Sequence, residues 1–180
     1  MIANQILSDV IHFMKYAKYL PEKKRRELYP ESVERNKQMH IAKFPALKDR
    51  ITEVYDKFVL TKKVLPSMRS MQFAGEAIAA NEVRIFNCSF LPLDHPKAFS
   101  EIMFLLLSGA GVGYSVQTHH IASLPLVKKT EGKQEFIIPD NIEGWADAVD
   151  ALVNSYFTAG PEIVFNFSKI RKKGMRLITS

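Results

Sequence analysis

Residues 84–92, Arg84-Ile85-Phe86-Asn87-Cys88-Ser89-Phe90-Leu91-Pro92, together with the run Ser108-Gly109-Ala110-Gly111-Val112-Gly113-Tyr114-Ser115, decide the fold. Ile85, Phe86 and Phe90 surround the only cysteine with β-prone side chains, so Arg84 to Leu91 reads as a strand. Asp94-His95-Pro96 reads as a helix start, because Asp accepts bonds from free backbone amides and Pro is tolerated in a first turn. The helix that follows, Lys97 to Leu107, carries Phe99, Ile102, Met103, Phe104 and three leucines, and apolar side chains nearly all round predict burial on most sides. Its end runs into alternate glycines, which let the backbone bend and approach another group closely. The glycines come after a helix and not between a strand and a helix, which is the wrong order for a dinucleotide fold and the right one for a tight helix-to-strand connection. A strand is expected from Tyr114 through Val116. Strand, cysteine, helix and glycine turn together make an α/β unit that offers a thiol and backbone amides at one edge of a sheet.

Downstream, His119 and His120 are adjacent, and in an extended chain they would face opposite sides and not share a metal. A polar loop containing Lys128, Lys129 and Lys133 follows. Asp140 and Glu143 resemble a capping box, and Ile142, Trp145, Val149, Leu152, Val153 and Tyr156 trace one helical face. Pro161 to Phe167 reads as a strand, so the chain from Tyr114 to Phe165 predicts a crossover in a mostly parallel sheet. Lys169 to Ser180 has five basic residues and no acid, and it leaves the α/β pattern incomplete.

Upstream, Ile6, Leu7, Val10, Ile11 and Met14 recur at helical spacing, and two more helices are expected over Val33–Phe44 and Leu47–Phe58. Each has one apolar stripe that needs a partner, so residues 1–63 read as a helical layer and residues 64–180 as a second region. Pro66 breaks the helical rhythm, and short β-prone pieces with turns near Gly75 and Asn81 are expected after it. His12 and His40 lack a matching carboxylate or thiol at metal-ligand spacing and read as ordinary, partly exposed histidines. No metal site is expected.

The chain has 180 residues, 47% of them apolar, and a net charge of +6, which describes a globular protein with a sizeable core. No run is long enough to span a membrane and no signal peptide is visible, so a cytoplasmic protein is expected. The charge is uneven: residues 1–63 hold 14 Lys and Arg against 8 Asp and Glu, whereas the remainder balances at 11 against 11. The Lys23-Lys24-Arg25-Arg26 run is flanked by Glu22 and Glu27, which suits a solvated turn better than a nucleic-acid surface. A single thiol cannot form an internal disulfide. Cys88 can be a nucleophile, a redox partner, a metal ligand or a buried filler, and composition alone favours the filler.

Four ordered blocks change that balance: Pro66-Ser-Met-Arg-Ser-Met-Gln-Phe-Ala-Gly75, Phe86-Asn-Cys-Ser-Phe90, Leu105-Leu-Leu-Ser-Gly-Ala-Gly-Val-Gly-Tyr-Ser-Val116 and Phe165-Asn-Phe-Ser-Lys-Ile-Arg171. Together they resemble the beginning of ribonucleotide reductases of the adenosylcobalamin-dependent class. The resemblance implies a helical layer followed by the first part of a ten-stranded α/β barrel. It implies that Cys88 is one of two thiols that become a disulfide as the ribose 2′-hydroxyl leaves. By the same resemblance Ser67 contacts a substrate phosphate, Asn87 helps hold the ribose, and Ala110 and Gly111 bring the backbone close to it. Asp94 would contact the sugar of a deoxynucleotide effector and His120 would lie near its phosphates. The implied partners are the C-terminal remainder of the reductase as a separate chain, a ribonucleotide substrate and a thioredoxin-like reductant. Adenosylcobalamin contacts would fall outside this chain. A non-catalytic, effector-binding remnant of a reductase is the alternative, and a basic nucleic-acid binder has only the N-terminal charge in its favour.

Overall fold

Leu28-Tyr29-Pro30-Glu31 shows how local sequence sets the helical part. Pro30 suits a first turn, and the Glu31 carboxylate accepts from the Leu28 amide at 2.8 Å, satisfying one donor that a helix start leaves free. This opens α2 (Tyr29–Lys43). The computed structural model describes residues 2–175, which divide into two compact units, 2–85 and 86–175. The last part of the 169–180 stretch, from residue 176 onward, lies outside the described residues.

In the first unit, α1 (Ile2–Lys15) leads to a two-residue antiparallel pair, β1 (Tyr19–Leu20) with β2 (Arg25–Arg26), and then to α2. Next comes α3 (Lys48–Val54), which runs on into a π turn at Tyr55–Val59. Two short helices close the unit, α4 (Met68–Phe73) and α5 (Glu76–Ala80). The expectation of β-prone pieces after Pro66 is therefore corrected. Ser67 caps α4 by accepting from the Ser70 amide at 3.2 Å, and α5 starts after Gly75 at φ +97°, so cap and turn chemistry prevailed over β propensity. Residues 64–85, grouped with the barrel on sequence, pack in this first unit.

The core of the first unit is Val33, Tyr55, Val59 and Met71, with Tyr16, Tyr29 and Ile51 against it. Polar groups are threaded through it. Asn36 is fully buried, donates to the Ser70 carbonyl and hydroxyl at 2.9 and 2.8 Å, and accepts from the Tyr55 hydroxyl, whose pKa burial pushes up to about 12. His12 is buried, not partly exposed, and bonds the Ser32 hydroxyl at 2.9 Å. Around Arg25 the basic run is internally compensated: Lys23 and Arg25 pair with Glu31, and Arg26 donates to the Ala17 carbonyl.

The second unit contains two parallel strand pairs. β3 (Cys88–Pro92), α6 (Ala98–Leu107) and β4 (Gly111–Ser115) form the first β–α–β unit, with Cys88 opposite Gly111 and Pro92 opposite Ser115. After the short α7 (Thr118–Ile121), β5 (Lys133–Ile137), α8 (Ile142–Thr158) and β6 (Glu162–Asn166) form the second. Several sequence expectations need correcting here. Residues 84 and 85 form a 3-10 turn and the strand starts at Cys88; the crossover through α8 joins β5 to β6, not β4 to β6. β5 was hidden in a stretch read as polar loop, because its Lys133-Gln134-Glu135 start is exposed. The cap of α8 is Asn141, which accepts from the Gly144 amide, while Asp140 holds Arg171 at 2.7 Å. α6 packs along α8, with Phe99 6.4 Å from Phe157, yet Leu106 and Leu107 at its end are exposed, against the expected burial on most sides. Each sheet has two strands, so the structure is a mixed helix and strand fold without a closed barrel among the described residues.

Candidate functional site

Six of the seven sequence-singled residues lie in or flank the β3–β4 pair, sorted to its two ends. At the N-terminal end, the Gly111 amide donates to the Asn87 carbonyl at 2.8 Å and its Cα lies opposite that of Cys88. Gly109, at φ +97°, makes the turn that feeds β4, a conformation costly for any side chain but glycine's. Ser108 donates to the Phe104 carbonyl at 2.7 Å, and Ala110 is buried, so the approach to Gly111 is anchored from inside.

Cys88 and Asn87 are exposed, which removes the buried-filler reading that composition favoured. Register neighbours on a sheet project to the same face, so a side chain at 111 would stand beside the thiol. A Cβ built on Gly111 would come no nearer than 3.7 Å to the Asn87 carbonyl oxygen. The fold therefore tolerates more than glycine at 111. What glycine provides is open surface next to the sulfur.

At the other end, five residues along strands that rise about 3.3 Å each, lie Asp94 and His120. The expected role of Asp94 as a helix cap is corrected: its carboxylate accepts from His95 Nδ1 at 2.7 Å, and α6 is instead entered by a backbone turn in which the Ala98 amide donates to the His95 carbonyl. The bond from His95 and the positive charge available on His95 and His120 hold the Asp94 carboxyl below its ordinary pKa. His120 Nδ1 bonds the Ser115 hydroxyl at 2.9 Å. His119 and His120 are on α7, not on an extended chain, and their rings are 4.0 Å apart. Among the described residues no cluster of three or more His, Cys, Asp or Glu could hold a metal ion.

Ser67 belongs to the first unit. Its hydroxyl oxygen accepts at the α4 cap, and the side chain is exposed, so its O–H remains able to donate. Sequence reasoning missed Ser115 and His95, which orient His120 and Asp94. Adjacency to Asp94 was the available signal for His95; for Ser115 the signal was its place in the glycine-tyrosine run.

No family model matches the chain. It is 27% identical over 140 residues to an adenosylcobalamin-dependent ribonucleoside-triphosphate reductase of Euglena gracilis, a match covering 73% of this chain and 19% of that protein. Relatives given the same name provisionally are a Dictyostelium discoideum protein, 26% identical over 68% of this chain and 19% of the relative, and one of Mycobacterium phage D29, 24% identical over 95% and 29%. A solved B12-dependent (class II) ribonucleotide reductase shares the fold over 95% of this chain and 33% of that one, with TM-score 0.81 and 21% identity. The chain spans about a fifth to a third of the length of these proteins.

Proposed function

We propose that this chain works as part of an adenosylcobalamin-dependent ribonucleotide reductase, contributing the opening strands of its α/β barrel and one of its two reducing thiols. The observation that carries the reading is the exposed Cys88 at the start of β3, opposite the side-chain-free Gly111, in a chain whose relatives are named for that activity. The net step balances as ribonucleotide plus two thiols giving deoxyribonucleotide, water and a disulfide. The two thiols lose two electrons and two protons as the S–S bond forms, and the 2′-hydroxyl leaves as water; an external dithiol then resets the pair by exchange.

Within this step Cys88 supplies one sulfur. The chain has no other cysteine, so the second sulfur comes from a further polypeptide segment. Asn87 and the backbone at Ala110 and Gly111 border the ribose, and Ser67 donates to a substrate phosphate. At the far end of the strand pair Asp94 accepts from the sugar hydroxyl of a deoxynucleotide effector, and His120, held by Ser115, meets its phosphates. Adenosylcobalamin would initiate radical chemistry from residues outside this chain; none described here is assigned to it.

The test is to isolate the chain from its native host with whatever polypeptide accompanies it, and to assay reduction of a ribonucleoside triphosphate with adenosylcobalamin and a dithiol. Cys88→Ser is expected to abolish turnover while leaving deoxynucleotide binding intact, and Asp94→Ala to weaken deoxynucleotide binding. Turnover that survives Cys88→Ser would remove the catalytic reading, and nucleotide binding without any turnover in the isolated assembly would favour the effector-binding remnant.

A further inference from the structure

A pocket of about 410 Å³ opens in the first unit between α1, the start of α2 and the segment from Lys62 to Met71. This is the size of cavities that hold small molecules, roughly 300–1,000 Å³, and such sites combine apolar walls with a few fixed polar groups. Leu7, Ile11, Leu65 and Met68 form an exposed apolar rim and the buried Met71 closes it from inside. Among the described residues the lining includes no carboxylate. Its two titratable nitrogen side chains behave differently. Burial lowers the His12 pKa, which favours the neutral ring, and because Ser32 donates to Glu27 at 2.8 Å, its hydroxyl accepts from His12 Nε2–H. Lys62 is left as the charged group. Its ammonium is held over the Tyr29 ring at 4.8 Å and 3.1 Å from the Ser8 hydroxyl, with Asp9, outside the lining, at 3.5 Å. Tyr29 is in turn anchored by its hydroxyl on the Val59 carbonyl at 2.6 Å.

The geometry points to a binding site for a small amphipathic anion, an apolar body seated between α1 and the Leu65–Met71 wall with its carboxylate or similar head on Lys62. A cation is disfavoured by like charge, and a neutral head leaves the ammonium with less than its full set of acceptors. The pocket shares Pro66 and Met68 with the flanks of Ser67, but the proposal does not depend on what Ser67 contacts.

Three probes with one body separate the head-group chemistries: decanoate, decanol and decyltrimethylammonium, each titrated calorimetrically into the full chain below its micelle concentration. Decanoate is expected to bind saturably at one per chain, at least about tenfold tighter than the other two, as for a charge-assisted hydrogen bond. Lys62→Gln should erase that preference without changing decanol binding, and Lys62→Arg should keep it, with circular dichroism confirming that both variants fold. Equal affinity for the three heads, non-saturating uptake, no binding, or decanoate affinity unmoved by Lys62→Gln would each overturn the proposal.

Discussion

Arg35→Ala is expected to cost the first unit about 3 kcal/mol, the lower end of what removing one partner of a buried ion pair does. The Arg35 guanidinium donates to both Glu27 oxygens at 2.8 and 2.9 Å and to the carbonyls of Tyr16, Met71 and Ala74 at 3.2, 3.2 and 2.9 Å. It thereby ties the end of α1, the turn before α2 and the end of α4 to one planar group. The Glu27 side chain is only 4% exposed, so alanine at 35 leaves a carboxylate in the interior without its guanidinium. The Lys18 amide at 3.0 Å and the Ser32 hydroxyl at 2.8 Å still satisfy part of it, which is why the lower figure applies. With a urea dependence of about 1–2 kcal/mol per molar, the midpoint should fall by about 2 M. Urea titration by far-ultraviolet circular dichroism, with hydrogen exchange of α2 and α4 amides to locate the loss, measures it. The double variant Glu27→Met/Arg35→Met removes both charges and should be more stable than Arg35→Ala. A loss under about 1 kcal/mol, or a double variant no better than the single one, would refute the reasoning.

Gly144→Ala should destabilise the second unit by about 1–3 kcal/mol despite alanine's better helix propensity, because its Cβ would sit 2.5 Å from the Pro139 carbonyl and 2.7 Å from the proline ring. Fluorescence of the adjacent Trp145, the only tryptophan, reports the shift in denaturation midpoint, and an unchanged midpoint contradicts it. Acid should weaken the first unit in two stages. Burial lowers the pKa values of His12 and His40 in the folded state, so their contribution is present above the ordinary value of 6.5 and is lost as pH falls below it. Glu27, which burial alone would raise, is held below 4.5 by Arg35, the Lys18 amide and Ser32, so its contribution is lost as pH falls through that lowered value. Urea midpoints that rise between pH 7 and 5 would contradict the histidine sign, and midpoints that rise as pH falls further below 4.5 would contradict that of Glu27. Gly111→Ala should leave stability within about 1 kcal/mol, since the new methyl has room, while raising KM for the ribonucleotide in the assembled reductase. A KM that stays put would mean the open surface beside Cys88 is not used.

Helices with a one-sided apolar stripe were legible in the sequence: α1, α2 and α8 form where their spacing places them. The elements that were not legible depend on particular pairings. α4 and α5 are each about a turn and a half long and exist because Ser67 caps one and Gly75 turns into the other. β5 begins with Lys133-Gln134-Glu135, which has no strand signature until β6 supplies the parallel partner. Of the site, the Asn87-Cys88 and Ala110-Gly111 juxtaposition was carried by the resemblance, and the register of β3 and β4 gives it a physical form. The roles of His95 and Ser115 could not be read, because each depends on which way a neighbouring side chain turns at the end of a strand.

Everything proposed for catalysis passes through one sulfur, so the most direct measurement is its oxidation state after a single turnover. The reductase assembly containing this chain, fully reduced and freed of external dithiol, is given adenosylcobalamin and a ribonucleoside triphosphate, quenched in acid with a thiol-blocking reagent, and mapped by mass spectrometry. The account predicts Cys88 in a disulfide with a cysteine from outside this chain, in amount equal to the deoxynucleotide formed. Deoxynucleotide formed while Cys88 remains a free, blockable thiol would contradict it.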